Sequence, residues 1–238
     1  MGSATRNIVT ASGPKQNRKY SIIIPAAGQG TRMKKYGPKP LIKVNQSSNI
    51  FDRQFKIIDS VFRWREVILV GGFQYDKIER TIPSKVKLIE NKDYEDTNVI
   101  HSIKLGLEKC TTNNIIIIYG DLIFNKYALN VPYNMDSLVI ISDTMKDEEI
   151  GCTIDKGHIE QMFYGINNKW AQILFLQEKE LNLMWEFVYT QNNQNCYGFE
   201  AVNYIIGRGG KFLAVKPKKA KVIDIDTSID LKRMKEII

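Results

Sequence analysis

Our interpretation of the chain begins with the stretch Ile22–Met33, which reads IIIPAAGQGTRM. Its three consecutive isoleucines are typical of a buried strand, and Pro25 indicates where the hydrogen-bonded ladder ends. The alanines and glycines that follow carry almost no side chain, so a large ligand can approach the backbone closely. A strand that leads into a bare loop with cations behind it suits a polyphosphate, whose oxygens accept hydrogen bonds from N–H groups and charged side chains. The cations in question are Arg32, Lys34, Lys35 and Lys39.

Two common phosphate-binding motifs do not account for this loop. The dinucleotide fingerprint requires a third glycine where Met33 stands, and the P-loop pattern Gly-x-x-x-x-Gly-Lys-Ser/Thr occurs nowhere in the chain. The glycines alone would suit an ordinary turn from strand to helix that binds no ligand. The continuation through Thr31 and Arg32 to the segment Pro38–Leu41, which reads PKPL, favours a phosphate-binding loop.

Together, Pro25–Met33 and Pro38–Leu41 resemble the signature of the sugar-phosphate and choline-phosphate nucleotidyltransferases. The resemblance implies a GT-A-like, nucleotide-diphospho-sugar transferase-like fold. It also implies transfer of a nucleoside monophosphate from an NTP to a phosphorylated small molecule, with release of pyrophosphate and with Mg²⁺ as cofactor. Arg32 would hold the β- and γ-phosphates, and Lys39 would stabilise charge near the α-phosphate. The nucleotide-binding residues would be Ala26, Ala27, Gly28, Gly30, Thr31, Gly71, Gly72 and Asn98.

Length and composition predict one globular domain. A chain of 238 residues with 43% hydrophobic and 25% charged residues can bury a full core, and a three-layer α/β unit of this size is commonly one domain. We expect residues 1–19 to form a disordered tail and residues 20–238 to form the domain. No apolar run approaches the ~18 residues of a membrane span, and the 3 cysteines have the wide spacing of reduced thiols. We therefore expect a cytoplasmic protein without membrane insertion.

The formal net charge of +8 raises the question of an anionic partner. The cations gather in the N-terminal tail, around the glycine loop, and late in the chain between Lys211 and Lys221. No nucleic-acid-binding motif accompanies them, and an NTP or a phosphorylated acceptor would use the same charge. We therefore expect small phosphorylated partners and no nucleic acid, and a homo-oligomer is compatible with the sequence.

Strands and helices alternate after the loop, which predicts a three-layer α/β/α sandwich with a mostly parallel, twisted sheet. Asn49 is expected to cap a helix over Ile50–Phe62, and Thr97 or Asn98 is expected to cap the helix that runs through Leu107. The other predicted elements are strands over 66–70, 86–90, 114–119, 138–141 and 212–215, a hairpin over 151–163, and helices over 74–81, 168–185 and 195–206.

Three aspartates are candidate metal ligands. Asp121 follows a strand of isoleucines, where a carboxylate is expensive unless a cation neutralises it. It could also cap the next turn, but downstream of a phosphate loop we favour a divalent-cation ligand. In a strand over 222–226, Asp224 and Asp226 would share a face and supply the second carboxylate that a magnesium–triphosphate site needs. The family carries a similar Ile-Asp-Thr segment, matching Ile225–Thr227, so Asp226 is the first candidate and Asp224 is the reserve.

The sequence says least about the acceptor and the base. Glu200 and Asn203 lie one helical turn apart and could read the hydroxyl groups of a sugar or polyol phosphate, although a solvated helix face is equally compatible. Choline phosphate would instead need a cage of aromatic faces. We favour the sugar or polyol phosphate narrowly. The short chain, and Asn98-x-x-x-Ser102 after Asn91–Tyr94, resemble the compact cytidylyltransferases, which favours CTP, with UTP close behind.

Two other functions are compatible with the sequence. A metal-dependent glycosyltransferase would use Asp224-x-Asp226 as its metal motif, but that motif normally lies nearer the middle of such chains. A non-catalytic nucleotide-binding regulator would keep the fold, yet the residues expected to act in catalysis are intact. Pyrophosphate release with all four NTPs would separate these functions from a nucleotidyltransferase.

Overall fold

The computed structural model describes residues 18–131, 133, 136–142 and 149–234. This part of the chain contains eleven strands and six α-helices. The strands are β1 Lys19–Ala26, β2 Trp64–Gly71, β3 Lys87–Glu90, β4 Ile115–Ile118, β5 Leu122–Phe124, β6 Leu138–Ser142, β7 Ile150–Asp155, β8 His158–Tyr164, β9 Lys169–Leu176, β10 Leu213–Val215 and β11 Val222–Asp224. The helices are α1 Ile50–Val61, α2 Tyr75–Thr81, α3 Val99–Leu107, α4 Glu178–Tyr189, α5 Gly198–Gly207 and α6 Ser228–Arg233.

Nine of the described strands form one sheet, in the order β3-β2-β1-β4-β9-β6-β10-β8-β7. β1 lies between β2 and β4 and is parallel to both, with Ile22 opposite Val67 and Ile116. Ile22 and Ile24 belong to the core that includes residues of α1 and α2, whereas Ile23 belongs to the core that includes α3, α4 and α5. The isoleucine run is therefore buried on both faces of the sheet, as the predicted α/β/α sandwich requires.

Local capping signals fix several helix starts. The Asn49 side chain accepts a hydrogen bond from the Asp52 N–H at 2.8 Å, and the Asp52 side chain accepts one from the Asn49 N–H. α1 therefore begins where predicted. Asn98 caps α3, and Thr227 caps α6. α5 begins at Gly198 and not at the predicted residue 195, because residues 193–195 form a separate 3₁₀ turn.

The prediction of a mainly helical segment over 168–185 is wrong in its first half. Residues Lys169–Leu176 form β9, which is antiparallel to both β4 and β6 in the middle of the sheet, and α4 begins only at Glu178. A strand buried on both faces shows a continuous apolar run and no alternation, so its periodicity does not distinguish it from a buried helix. The sheet is consequently mixed, with parallel strands on one side of β9 and both directions on the other.

A small antiparallel ribbon stands beside the main sheet, with β5 paired to β11 and Leu122 opposite Asp224. Ile123 and Ile225 from this region are fully buried against Met33 and Ile42, which flank the lysine segment of the phosphate loop. The ribbon therefore brings the late part of the chain to the loop that follows β1.

The first strand already includes Lys19, and the tail predicted over residues 1–19 otherwise lies outside the described residues, apart from Arg18. None of the described helices has both the length and the apolar character that a membrane crossing requires.

Candidate active site

A cavity of about 380 Å³ opens where β1 and β4 end, at the N-terminus of α3. Parallel sheets commonly bind ligands at this edge, where the carboxyl ends of the strands meet. Seven of the predicted site residues line the cavity, namely Ala26, Ala27, Gly28, Gly30, Lys39, Asn98 and Asp121. Its other lining residues are Pro25, Asn91, Tyr94, Thr97, Val99, Ser102, Tyr119, Gly120, Gln172 and Tyr197.

The loop after β1 is held open by its neighbours. The Ala27 carbonyl accepts a hydrogen bond from the Phe73 N–H at 2.9 Å. A Cβ on Gly72 would lie 2.8 Å from the Ala27 carbonyl oxygen and 2.7 Å from the Cβ of Tyr94, so only glycine allows this packing. Gly72 thus determines how closely the loop packs against Tyr94, and neither Gly72 nor Gly71 lines the cavity.

Gly30 and Lys39 are packed against each other. Gly30 has a φ of +53°, a conformation that other L-residues rarely adopt, and an added Cβ would lie 3.0 Å from Cε of Lys39. The aliphatic part of Lys39 therefore crosses the bare loop and carries its ammonium group into the cavity.

The Lys39 ammonium bridges two of the predicted metal ligands. Its Nζ lies 2.8 Å from Oδ2 of Asp121 and 2.6 Å from Oδ1 of Asp226. Burial by itself works to lower the pKa of Lys39, but the charges of Asp121 and Asp226 outweigh it and raise that pKa well above its ordinary value. Lys39 is therefore a permanent cation at this position.

One carboxylate oxygen of Asp121 makes no hydrogen bond to the described residues. Its Oδ1 is buried and has no hydrogen-bond partner among the described residues, although buried carboxylate oxygens are normally satisfied. Nor do the described residues include a cluster of three or more His, Cys, Asp or Glu side chains that could hold a metal ion. Mg²⁺ is usually bound by one or two carboxylates together with substrate phosphates, so Asp121 and Asp226 fit this ion.

Asp224 and Asp226 have different partners. β11 ends at Asp224, so the alternation of a strand does not extend to Asp226. Oδ1 of Asp224 lies 2.9 Å from Nζ of Lys169, which also lies 2.5 Å from Oε1 of Glu149. The two aspartates therefore belong to two separate ion-pair clusters, and the Asp226 cluster borders the cavity through Lys39.

The loop before α3 forms another wall of the cavity. Asn91 is buried, and its amide donates to the Ser102 hydroxyl at 3.2 Å while its backbone N–H donates to the Gly71 carbonyl at 2.7 Å. Asn98 caps α3 by accepting from the Val99 N–H at 2.8 Å. Asn91, Tyr94 and Ser102 were not among the predicted site residues, although the resemblance to compact cytidylyltransferases rested on them.

Tyr119 and Gln172 form the floor on the side of β9. Burial and then the charge of Asp121 raise the pKa of the Tyr119 phenol, whose oxygen accepts a hydrogen bond from the Gly198 N–H. Gln172 lies in β9 with a φ of +56°. It was missed because the sequence predicted a helix here.

Besides Gly71, Gly72, Asp224 and Asp226, four more predicted residues are not part of the lining of the cavity. Thr31 and Arg32 are exposed on a short 3₁₀ helix, Thr31–Tyr36, that follows the loop. Glu200 accepts a hydrogen bond from the Tyr197 N–H at 2.6 Å and so caps α5. Both amide atoms of Asn203 pair with the backbone of Met162 in β8, at 2.8 and 2.7 Å. Asn203 therefore ties α5 to the sheet, and Tyr197 is the residue of this segment that reaches the cavity.

Comparison with known protein families places this site in context. The family model of the MobA-like NTP transferase domain matches residues 22–130. The bifunctional protein GlmU of Thermosipho africanus (strain TCF52B) is 30% identical over 106 residues, which are 44% of this chain and 22% of that protein. The chain thus spans less than a quarter of the length of the curated relatives that it matches.

Solved structures extend the similarity over nearly the whole chain. The CTP:phosphocholine cytidylyltransferase of Streptococcus pneumoniae (LicC) aligns with a TM-score of 0.73 at 18% identity, over 92% of this chain and 99% of that one. The inositol-1-phosphate CTP transferase of T. maritima aligns with a TM-score of 0.72 at 14% identity, over 94% of this chain and 97% of that one. These alignments confirm the predicted nucleotide-diphospho-sugar transferase-like fold.

Proposed function

We propose that the protein binds an NTP in the cavity beside Lys39 and transfers its nucleoside monophosphate to a phosphorylated small molecule. The match of residues 22–130 to the MobA-like NTP transferase domain supports this proposal. Pyrophosphate is the second product. The observation that carries this proposal is the Lys39 ammonium between Asp121 and Asp226, next to a bare loop at the end of β1.

The reaction needs positioning and charge stabilisation and no covalent enzyme intermediate. An oxygen of the acceptor phosphate attacks the α-phosphorus in line. The bond from that phosphorus to the oxygen bridging to the β-phosphate breaks, and pyrophosphate leaves with the electron pair. In this proposal Lys39 stabilises the negative charge that develops around the α-phosphate, and Arg32, which is exposed outside the lining of the cavity, holds the β- and γ-phosphates as they enter from solvent.

Asp121 and Asp226 would hold the divalent ion, for which Mg²⁺ is our choice. The buried Oδ1 of Asp121 is the first ligand in this proposal because no described residue uses it. When bound, the ion neutralises charge on the phosphates and orients the leaving group. Lys39, which bridges both carboxylates in this structure, would take a phosphate of the NTP as its partner when Asp121 and Asp226 hold the ion.

For the base we favour a pyrimidine, with CTP ahead of UTP. The wall formed by Asn91, Asn98 and Ser102 offers amide and hydroxyl groups at the N-terminus of α3, which suits the small polar edge of a pyrimidine. Both solved structures described above belong to enzymes named for their use of CTP, which supports the same order.

The acceptor is either a sugar or polyol phosphate or choline phosphate. The structure adds support to choline phosphate, because the exposed Tyr197 lines the cavity and stacks on Phe199 with an angle of 18° between their rings. Tyr164 meets Phe199 edge-on, and Glu200 lies beside them, so aromatic faces and a carboxylate occur together.

Cys110, Cys152 and Cys196 are free thiols, which suits our proposal that the reaction takes place in the cytoplasm.

A pyrophosphate-release assay tests the proposal. The protein is incubated with each of the four NTPs, with Mg²⁺, and with choline phosphate, inositol phosphate or a sugar 1-phosphate in turn. We expect release that depends on one acceptor class and is lost in Asp121→Asn. Nucleotide binding without release for any acceptor would favour a regulator, and transfer of sugar from a nucleotide-sugar would favour a glycosyltransferase.

A further inference from the structure

Gln54 is a buried polar residue of α1 that the reaction described above does not use. Its side chain is 1% exposed, and its amide nitrogen donates to two backbone carbonyls, those of Tyr119 and Leu122, each at 2.9 Å. Carbonyl oxygens only accept hydrogen bonds, so the NH₂ group must face them. The two carbonyls lie on either side of Gly120-Asp121, the turn that carries the candidate metal ligand.

The same turn is held from two other directions by backbone hydrogen bonds. The Gly120 N–H donates to the Pro25 carbonyl of β1 at 3.0 Å, and the Asp121 carbonyl accepts from the Ile225 N–H at 3.0 Å. Gln54 supplies the third support, from α1, and it spans the turn from one end to the other. These three supports fix where the Asp121 carboxylate points.

We propose that Gln54 is a positioning residue for the divalent-cation site, acting through the backbone that carries Asp121. This inference rests on the proposed function, since it assigns metal binding to Asp121. Gln54 then sets the affinity for the metal ion, and it leaves the affinity for the base and the acceptor nearly unchanged.

We call the two hydrogen bonds from Gln54 to the Tyr119 and Leu122 carbonyls the clamp. The clamp explains why an amide is present in this core. An apolar side chain of the same size would take this donor away from the buried Leu122 carbonyl and would leave the Tyr119 carbonyl with the long bond from the Leu122 N–H at 3.4 Å, and the turn would relax to satisfy both carbonyls elsewhere. A displacement of about 1 Å is enough to weaken a metal or catalytic site. Packing alone does not favour glutamine, because its Oε1 is buried without a hydrogen-bond partner among the described residues.

Gln54→Met tests the clamp because it keeps the length and removes the donor. Losing an outer support of a metal ligand typically weakens metal affinity about 10–100-fold. We therefore expect the Mg²⁺ concentration for half-maximal pyrophosphate release to rise at least about tenfold. The KM for the NTP at saturating Mg²⁺ should change less than about twofold. Mn²⁺ titrated alone and followed by electron paramagnetic resonance should show the same weakening without any turnover.

Ile58→Ala is the matched control, since Ile58 is fully buried one turn further along α1 and its side chain makes no hydrogen bond. It should lower the unfolding midpoint and leave Mn²⁺ affinity unchanged. A folded Gln54→Met protein with wild-type metal dependence and wild-type Mn²⁺ affinity would overturn the inference.

Two further arms keep the test decisive. If Gln54→Met does not fold, Gln54→Asn keeps the amide on a shorter side chain that cannot reach both carbonyls, and unchanged Mn²⁺ affinity in that variant would count against the clamp. If the wild-type protein releases no pyrophosphate with any NTP, the proposed function fails, whereas the Mn²⁺ comparison still decides the role of Gln54.

Discussion

Two lysines of this chain each bridge a pair of carboxylates, in surroundings that differ sharply. Lys39 contacts Asp121 and Asp226 at the wall of the cavity, where the Asp226 side chain is 45% exposed. Lys169 contacts Glu149 and Asp224, whose side chains are only 12% and 11% exposed. The two clusters are linked in sequence by Asp224 and Asp226, which are two residues apart.

The difference shows how one arrangement of charges can serve two purposes. An ion pair that borders a cavity can exchange its partners when a polyphosphate and its metal arrive, because water and ligand solvate the freed carboxylates. A sealed cluster cannot, since little solvent reaches its carboxylates to replace the cation that they share. We infer that the Lys39 cluster serves the reaction and that the Lys169 cluster joins β9 to β11.

The sharpest test neutralises one carboxylate in each cluster and compares the two variants. Asp226→Asn should reduce Mg²⁺-dependent pyrophosphate release by about 10³-fold or more, because a bound metal contributes several kcal/mol of charge stabilisation in the transition state. Asp224→Asn should retain most of the turnover and lower the thermal unfolding midpoint. Rates at saturating Mg²⁺ and unfolding curves of both variants check this, and a reversed pattern would exchange the roles assigned to the two aspartates.

The second prediction concerns stability. Lys169→Met leaves Glu149 and Asp224 buried without their shared cation and should reduce the free energy of unfolding by about 3–5 kcal/mol. Urea titration at neutral pH measures this. Lys211→Met, which removes an exposed lysine, is the control and should stay within about 0.5 kcal/mol of the wild type. A Lys169→Met protein as stable as that control would show that the cluster is not structural.

The third prediction concerns turnover. Lys39→Ala should lower kcat about 10²–10³-fold, the usual effect of losing one electrostatic donor, and should leave the fold intact. Circular dichroism and steady-state kinetics together measure both outcomes. Lys43→Ala removes an exposed lysine shortly after the same segment and should retain near-normal turnover. Near-normal kcat in a folded Lys39→Ala protein would exclude Lys39 from the mechanism.

The smallest expected effect belongs to a third lysine–carboxylate pair, Lys87 and Glu66. Burial works to raise the pKa of Glu66, but hydrogen bonds from Lys87, Ser21 and Thr111 outweigh it and hold that pKa at about 2, below the ordinary 4.5. This contribution to stability is present above pH 4.5 and is lost as the pH falls towards about 2.

Glu66→Gln should therefore reduce the free energy of unfolding by about 1–2 kcal/mol at neutral pH and by less near pH 3. Urea titrations of both proteins at the two pH values measure the difference. A gap between them that does not narrow in acid would contradict the role given to the ionised Glu66.

Elements with local signals could be predicted from the sequence. The isoleucines at 22–24 mark a strand buried on both faces, and Asn49, Asn98 and Thr227 mark helix starts by their capping chemistry. Each of these signals lies within a few residues of the structure that it determines. The direction of β9 has no such signal, because it depends on β4 and β6, which lie elsewhere in the chain.

The residues of the candidate site likewise divide into those that could be predicted from the sequence and those that could not. Lys39, Asp121 and Asp226 were found because their motifs resemble a known family, and the structure brings these three side chains together. The partner of Asp224 could not be foreseen, since Lys169 lies 55 residues away in a segment predicted as helix. Gln54 was also missed, because a glutamine among the apolar residues of an amphipathic helix gives no sign of the backbone that it will contact.

The ion pair between Lys39 and Asp226 joins residues 187 positions apart, which makes the site a late product of folding. Contacts of such long range form slowly, because the entropy of closing the intervening loop is lost before the contact is gained. During synthesis on the ribosome, the segments after β1 and β4, which carry Lys39 and Asp121, emerge well before the segment after β11, which carries Asp226. Nucleotide turnover would therefore begin only after nearly the whole domain has left the ribosome and folded, so a half-made chain would not consume NTP.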